Sequence, residues 1–250
     1  MMTRAPAAGE NRNGFAWDSP AYVFDIDGTL LLSRDLVHYN ALNRALDHVY
    51  GVDTTIDGVA YHGKTDLSIL RAALARAGVS GKVFEAKLWQ AIDLIGRDVA
   101  SHAASLHPEV CRGIPDVLAL LKARGKLLGI ASGNLEAVGW RKLKAADLDG
   151  FFEFGCFSDR HESRADIFAR AVGEVKSRLG NGTSVCFVGD TPEDIKAARE
   201  VNAKIIAVAT GTITARELTS LHPDICVTNW AELLDHSADS ASLSSGEKPP

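Results

Sequence analysis

Asp25 and Asp27 stand two residues apart at the end of the apolar run Tyr22-Val23-Phe24, and Gly28-Thr29 then breaks the extended pattern. Side chains at i and i+2 of a strand share one face, so both carboxylates are expected at the strand's end, pointing the same way. Like charges that close oppose each other's ionisation unless a cation offsets them, and carboxylate oxygens suit a hard cation such as Mg²⁺. Alone, the segment also reads as a turn carrying two solvated acids. Two further clusters change the balance. Leu127 to Ala131 is a second apolar run, ending in Ser132-Gly133-Asn134. There a hydroxyl and exposed backbone N–H groups ahead of a helix could hold an anionic oxygen. Val185 to Val188 is a third, ending in Gly189-Asp190, and Thr191-Pro192-Glu193-Asp194 opens a helix. Each piece has an ordinary reading, a turn signal for the Ser-Gly-Asn and a plain capped start for the helix. Three strand-terminal polar clusters in one chain instead point to phosphate chemistry beside a metal.

In this order the motifs resemble those of the haloacid dehalogenase-like hydrolases, from about Ala21 to Asp235. The resemblance implies a Mg²⁺-dependent phosphatase acting on a small phosphorylated metabolite through an aspartyl-phosphate intermediate. It makes Asp25 the nucleophile and Asp27 the general acid/base, with Ser132 and the backbone of Gly133 and Asn134 binding the phosphoryl group. Mg²⁺ is then expected on Asp25, Asp27 (through its backbone carbonyl), Asp190 and Asp194, the second acid of that motif. The family's usual lysine is missing, since no Lys lies between Lys144 and the helix starting near Arg164. Arg164 is the expected replacement, with Arg160 the alternative. An acid at position 27 favours phosphatase chemistry over the dehalogenase branch. A phosphomutase keeps that acid and differs mainly in the cap. An idle binding protein on this fold would be expected to lose a charged motif residue, and the departure found is an Arg for a Lys.

Positioning these residues requires the alternation seen along the chain. Apolar runs at 23–24, 127–131, 152–157, 185–188, 205–208 and 225–227 alternate with helical patterns at 116–124, 135–146, 164–179, 192–201 and 230–234. That pattern predicts an α/β fold with a Rossmann-like parallel sheet and helices on both faces. Ligands bind beyond the carboxyl ends of such strands. Residues 33–110 interrupt it with three helical patterns and no evident strand, predicting an inserted all-helical cap domain. The α/β core is then 19–32 plus 111–236, with disordered tails at 1–18 and 237–250. Within the insertion, Tyr61-His62-Gly63-Lys64-Thr65-Asp66 leads into a helix. Lys64 either reads an anionic part of the substrate or is merely solvated while Thr65 or Asp66 caps the helix.

The 250 residues are 46% apolar and 24% charged, enough to bury a substantial core. A net charge of −5 gives no electrostatic reason to expect nucleic acid or an anionic membrane as partner. Apolar runs are too short to span a bilayer, and residues 1–13 lack the apolar core of a secretory signal, so a cytoplasmic protein is expected. Cys111, Cys156, Cys186 and Cys226 show no metal-binding spacing and are expected as reduced, mostly buried side chains.

Overall fold

The computed structural model of the chain describes residues 19–233; both expected tails lie outside them. Six parallel strands form the central sheet: β1 (Ala21–Phe24), β4 (Leu127–Ala131), β5 (Phe154–Cys156), β6 (Val185–Gly189), β7 (Lys204–Val208) and β8 (Ile225–Val227). Their spatial order is β5-β4-β1-β6-β7-β8. Strand β1 therefore lies between β4 and β6, pairing Phe24 with Ile130 on one side and Val188 on the other. Every residue of β1, β4 and β6 is buried, as a sheet covered on both faces requires.

Alternation along β1 divides the interior. Tyr22 and Phe24 join Ile114, Leu118, Leu143 and Trp230 on one face, while Ala21 and Val23 meet Ile167, Phe168, Ala171 and Ile195 on the other. The covering helices are α4 (Ile114–Ala123), α5 (Glu136–Ala145), α6 (Arg164–Leu179) and α7 (Pro192–Glu200). A short helix, α8 (Ala215–Ser220), was not evident in the sequence; Thr214 caps it in a reciprocal box with Glu217.

The insertion carries α1 (Val37–Tyr50), α2 (Asp66–Arg76) and α3 (Gly81–Ser101). They pack together through Leu42, Leu46, Leu70, Leu74, Phe84, Ile95 and Val99, in a cluster that also takes in Leu135 and Val138 at the start of α5. The insertion is not wholly helical at its base. β2 (Leu31–Ser33) and β3 (Pro108–Val110) pair antiparallel where the chain leaves and rejoins the sheet. Three-residue strands carry too little periodicity to stand out in a sequence. Among the described residues, no helix is long and apolar enough to cross a membrane.

Candidate active site

Three adjacent strands, β4, β1 and β6, deliver their polar clusters to one edge of the sheet. Asp25 follows β1 and its N–H bonds the carbonyl of Val188 at 2.9 Å, fixing its backbone against β6. Gly28 then turns with φ +85°, and a Cβ there would lie 2.2 Å from Asp190 Oδ2. Only a residue without a side chain allows both that backbone and that approach. Thr29 donates to Asp190 Oδ1 at 3.0 Å, tying the ends of β1 and β6 together.

Asp25, Asp190 and Asp194 are all buried, with one carboxylate oxygen of each within 4.8 Å of the others. Burial raises the Asp25 carboxyl to about 6, the Arg164 charge pulling it down and Asp194 pushing it up. Burial, with the charges of Asp25 and Asp194, raises Asp190 well above the usual range. Their surroundings fit a hard cation. Oδ1 of Asp25 is buried with no hydrogen-bond partner, a costly state that a metal ion would relieve, and all the donors are oxygen.

Arg164, in the first turn of α6, supplies the opposing charge. Its Nη2 lies 2.7 Å from Asp25 Oδ2 and 2.5 Å from Asp194 Oδ1, and its Nε donates to the same Asp194 oxygen at 2.9 Å. Burial works against the guanidinium, but Asp194 and Asp25 more than offset it and its pKa is raised. The other Asp194 oxygen accepts from Thr191 N–H at 3.0 Å and Thr191 Oγ at 2.6 Å, capping α7. Asp194 thus fixes Arg164 while standing in the acidic cluster. Arg160 is elsewhere, its guanidinium 5.1 Å from the ring centre of Trp89 on α3.

Asp27 does not join the acidic cluster through its side chain. Its Oδ1 accepts from Lys142 Nζ at 2.9 Å and Ser33 Oγ at 2.8 Å. Its Oδ2 accepts from Lys142 Nζ and Asn134 Nδ2, both at 2.7 Å. Burial alone would raise this carboxyl, yet the Lys142 charge and the bonds from Lys142, Asn134 and Ser33 hold it well below the usual carboxylate range. Asn134 also donates to Ser132 Oγ at 2.8 Å, joining the phosphate-suited loop to Asp27. Sequence reasoning missed Lys142 because it sought a cation only after Lys144. The signal was there: Lys142 falls among Leu135, Val138, Gly139 and Leu143 at helical spacing, and those positions are buried. A lysine inside an apolar stripe needs a charged partner.

The loop before α2 closes over the site. Asp66 N–H donates to the Gly133 carbonyl at 2.8 Å, and a Cβ on Gly133 would lie 2.5 Å from the Lys64 carbonyl and 3.0 Å from Arg164 Nη1. Thr65 caps α2. Asp66, the other cap candidate, instead accepts from Leu135 N–H at 2.8 Å and bonds His38 at 3.0 Å. Lys64 itself is half exposed and pairs with Glu193 at 3.1 Å.

The family model for haloacid dehalogenase-like hydrolases matches residues 22–208. A phosphoglycolate phosphatase from Synechococcus elongatus is 29% identical over 217 residues, covering 86% of this chain and 95% of its own. Among solved structures, CbbY from Rhodobacter sphaeroides in complex with phosphate superposes with TM-score 0.66 at 19% identity, over 86% of this chain and 96% of its own. A haloacid dehalogenase-like family protein from Streptococcus pneumoniae gives TM-score 0.58 at 21% identity, over 87% and 97%. With an acid pair after the first strand, a serine after its neighbour and further acids after the strand on the other side, the chain belongs to the haloacid dehalogenase-like hydrolases.

Proposed function

We propose that this hydrolase is a Mg²⁺-dependent phosphatase that cleaves a small phosphomonoester through an aspartyl-phosphate on Asp25. One observation carries the reading: Asp25 stands in a buried acidic cluster with Asp190 and Asp194, one of its carboxylate oxygens held by Arg164 and the other buried and unpartnered. A carboxylate used only for structure would have both oxygens satisfied.

In the first step the Asp25 carboxylate attacks phosphorus in line, and the bond to the leaving oxygen breaks with its electron pair. Asp27 gives that oxygen a proton. In the second step Asp27 takes a proton from a water, which attacks the phosphorus, releasing phosphate and restoring Asp25. The Lys142 pair keeps Asp27 ionised before substrate binds, which suits the second step. The negative phosphoryl group entering beside it then raises its proton affinity, so that Asp27 takes from solvent, as substrate binds, the proton it gives in the first step. Ser132, the backbone of Gly133 and Asn134, and Arg164 hold the phosphoryl oxygens. Asp25, the Asp27 carbonyl and Asp190 would hold Mg²⁺, with Asp194 behind them orienting Arg164; the ion neutralises phosphoryl charge and favours ionised Asp25.

Helices α1–α3 serve as the cap that excludes water on closure. The match to a phosphoglycolate phosphatase supports small phosphorylated acids or sugars as substrates. The test is phosphate release from a panel of small phosphomonoesters, with Mg²⁺ and with excess EDTA. Turnover should need the metal, and full activity in EDTA would overturn the metal assignment.

A further inference from the structure

Lys142 is the charged residue of the site to which the family resemblance gave no role. It is 3% exposed and projects from α5, the helix that follows the Ser132 loop. An ammonium has three N–H donors and no acceptor. Here its contacts are Asp27 Oδ1, Asp27 Oδ2 and Asn134 Oδ1, at 2.9, 2.7 and 3.0 Å. Those three contacts match its three N–H groups in number, and all of them go to Asp27 and Asn134. Asn134 closes the ring, giving one N–H to Asp27 and the other to Ser132 Oγ. Arg164, meanwhile, contacts Asp25 and Asp194. Each aspartate of the first pair has its own cation.

We propose that Lys142 is the positioning residue for Asp27, locking the acid/base carboxylate at a fixed place relative to the phosphate-holding Ser132 loop, while Arg164 serves the nucleophile. The inference rests on Asp27 acting as acid/base. Buried lysines are costly unless paired, and a polar ring joining Asp27, Lys142, Asn134 and Ser132 is satisfied at each described contact. A fixed carboxylate matters where the leaving oxygen must be protonated during bond cleavage. It matters far less where that oxygen leaves unaided.

The comparison is kcat/KM, which reports the steps through formation of the phosphoenzyme, for an alkyl phosphate and for p-nitrophenyl phosphate. The enzymes are wild type, Lys142→Met, Asp27→Asn and the double variant. Lys142→Met should lose about 10²-fold more on the alkyl phosphate than on p-nitrophenyl phosphate, the scale of losing a placed general acid. In the Asp27→Asn background, adding Lys142→Met should change the alkyl phosphate rate by less than about threefold, since positions acting through each other are not additive. Equal losses on both substrates, or additive losses in the double variant, would overturn the proposal and assign Lys142 to phosphoryl binding or to folding. If Lys142→Met fails to fold because a carboxylate is left unpaired, the double variant removes both charges, and Lys142→Gln keeps a donor of similar reach. Lys142→Gln should then show the same preferential loss on the alkyl phosphate, in smaller degree, and its absence counts against the proposal. Failure of the acid/base reading itself looks different, because Asp27→Asn would then show no preference between the two substrates.

Discussion

Arg164 sits in the first turn of α6, where a cation lies against the positive end of the helix dipole. It is held there by Asp25 and Asp194, so the position costs helix stability and serves the site. Arg164→Ala should reduce kcat/KM by about 10²-fold or more, the effect of removing a preorganised charge, and Arg164→Lys should recover part of it. Arg160→Ala should do much less, because its guanidinium lies over Trp89. Steady-state kinetics on one good substrate decides this, and a damaging Arg160→Ala with a mild Arg164→Ala would reverse the assignment. At the neighbouring position, Asp25→Asn should abolish turnover with the fold intact, since an amide of equal size cannot attack phosphorus. Substantial Mg²⁺-dependent turnover by that variant would end the nucleophile proposal.

The loop 61–66 and the Ser132 loop meet without room to spare, and the elements on either side transmit that fit. Arg71 of α2 pairs with Glu162 ahead of α6, and Thr65 Oγ donates to the Glu162 carbonyl at 3.0 Å. Gly133→Ala would drive a methyl into the Lys64 carbonyl, so it should raise KM and lower kcat together by holding the cap off the site. A Gly133→Ala enzyme with both constants unchanged, or with only one of them altered, would mean the cap does not close through this contact. If Lys64 leaves Glu193 to read an anionic part of the substrate, Lys64→Ala should raise KM for that substrate by about 1–2 kcal/mol and hardly affect p-nitrophenyl phosphate. What the sequence made legible followed period and punctuation. Strand β1 with Asp25, the Ser132 loop and α6 from Arg164 to Leu179 were readable because apolar runs end abruptly in polar residues. β2, β3 and α8 were not, being three to six residues long. The apolar stripe marks Lys142 as needing a partner without naming it, and Asp66 reads only as a possible helix cap: their partners lie 115 and 69 positions away in the chain, which no local pattern identifies.

Across the whole molecule, the acidic cluster makes stability depend jointly on pH and metal. Without metal, burial holds the Asp25 carboxyl at about 6, against about 3.9 for an unfolded aspartate. Between those values the folded chain keeps a proton that the unfolded chain has released. The stability contributed by that proton is therefore full below about pH 4 and is lost as pH rises through about 6. Asp190, raised by burial and by the same neighbours, acts in the same direction. Asp27 acts oppositely, its contribution being present above about pH 4 and lost only in stronger acid, because Lys142 holds its carboxyl low. From pH 5 to 7.5 the metal-free protein should accordingly lose stability as the buried cluster ionises. Mg²⁺ requires the ionised carboxylates, so its binding should strengthen over that interval. Thermal melts in EDTA and in millimolar Mg²⁺ test both statements. The metal-induced rise in Tm should be larger at pH 7.5 than at pH 5, by about 5 °C for a difference of about 2 kcal/mol in a chain of this size. Asp25→Asn should shrink the rise at pH 7.5, since it removes one ligand charge and leaves a neutral amide. A metal-induced rise that is equal at the two pH values, or larger at pH 5, would mean that the ion is not held by the ionised carboxylates of Asp25 and Asp190.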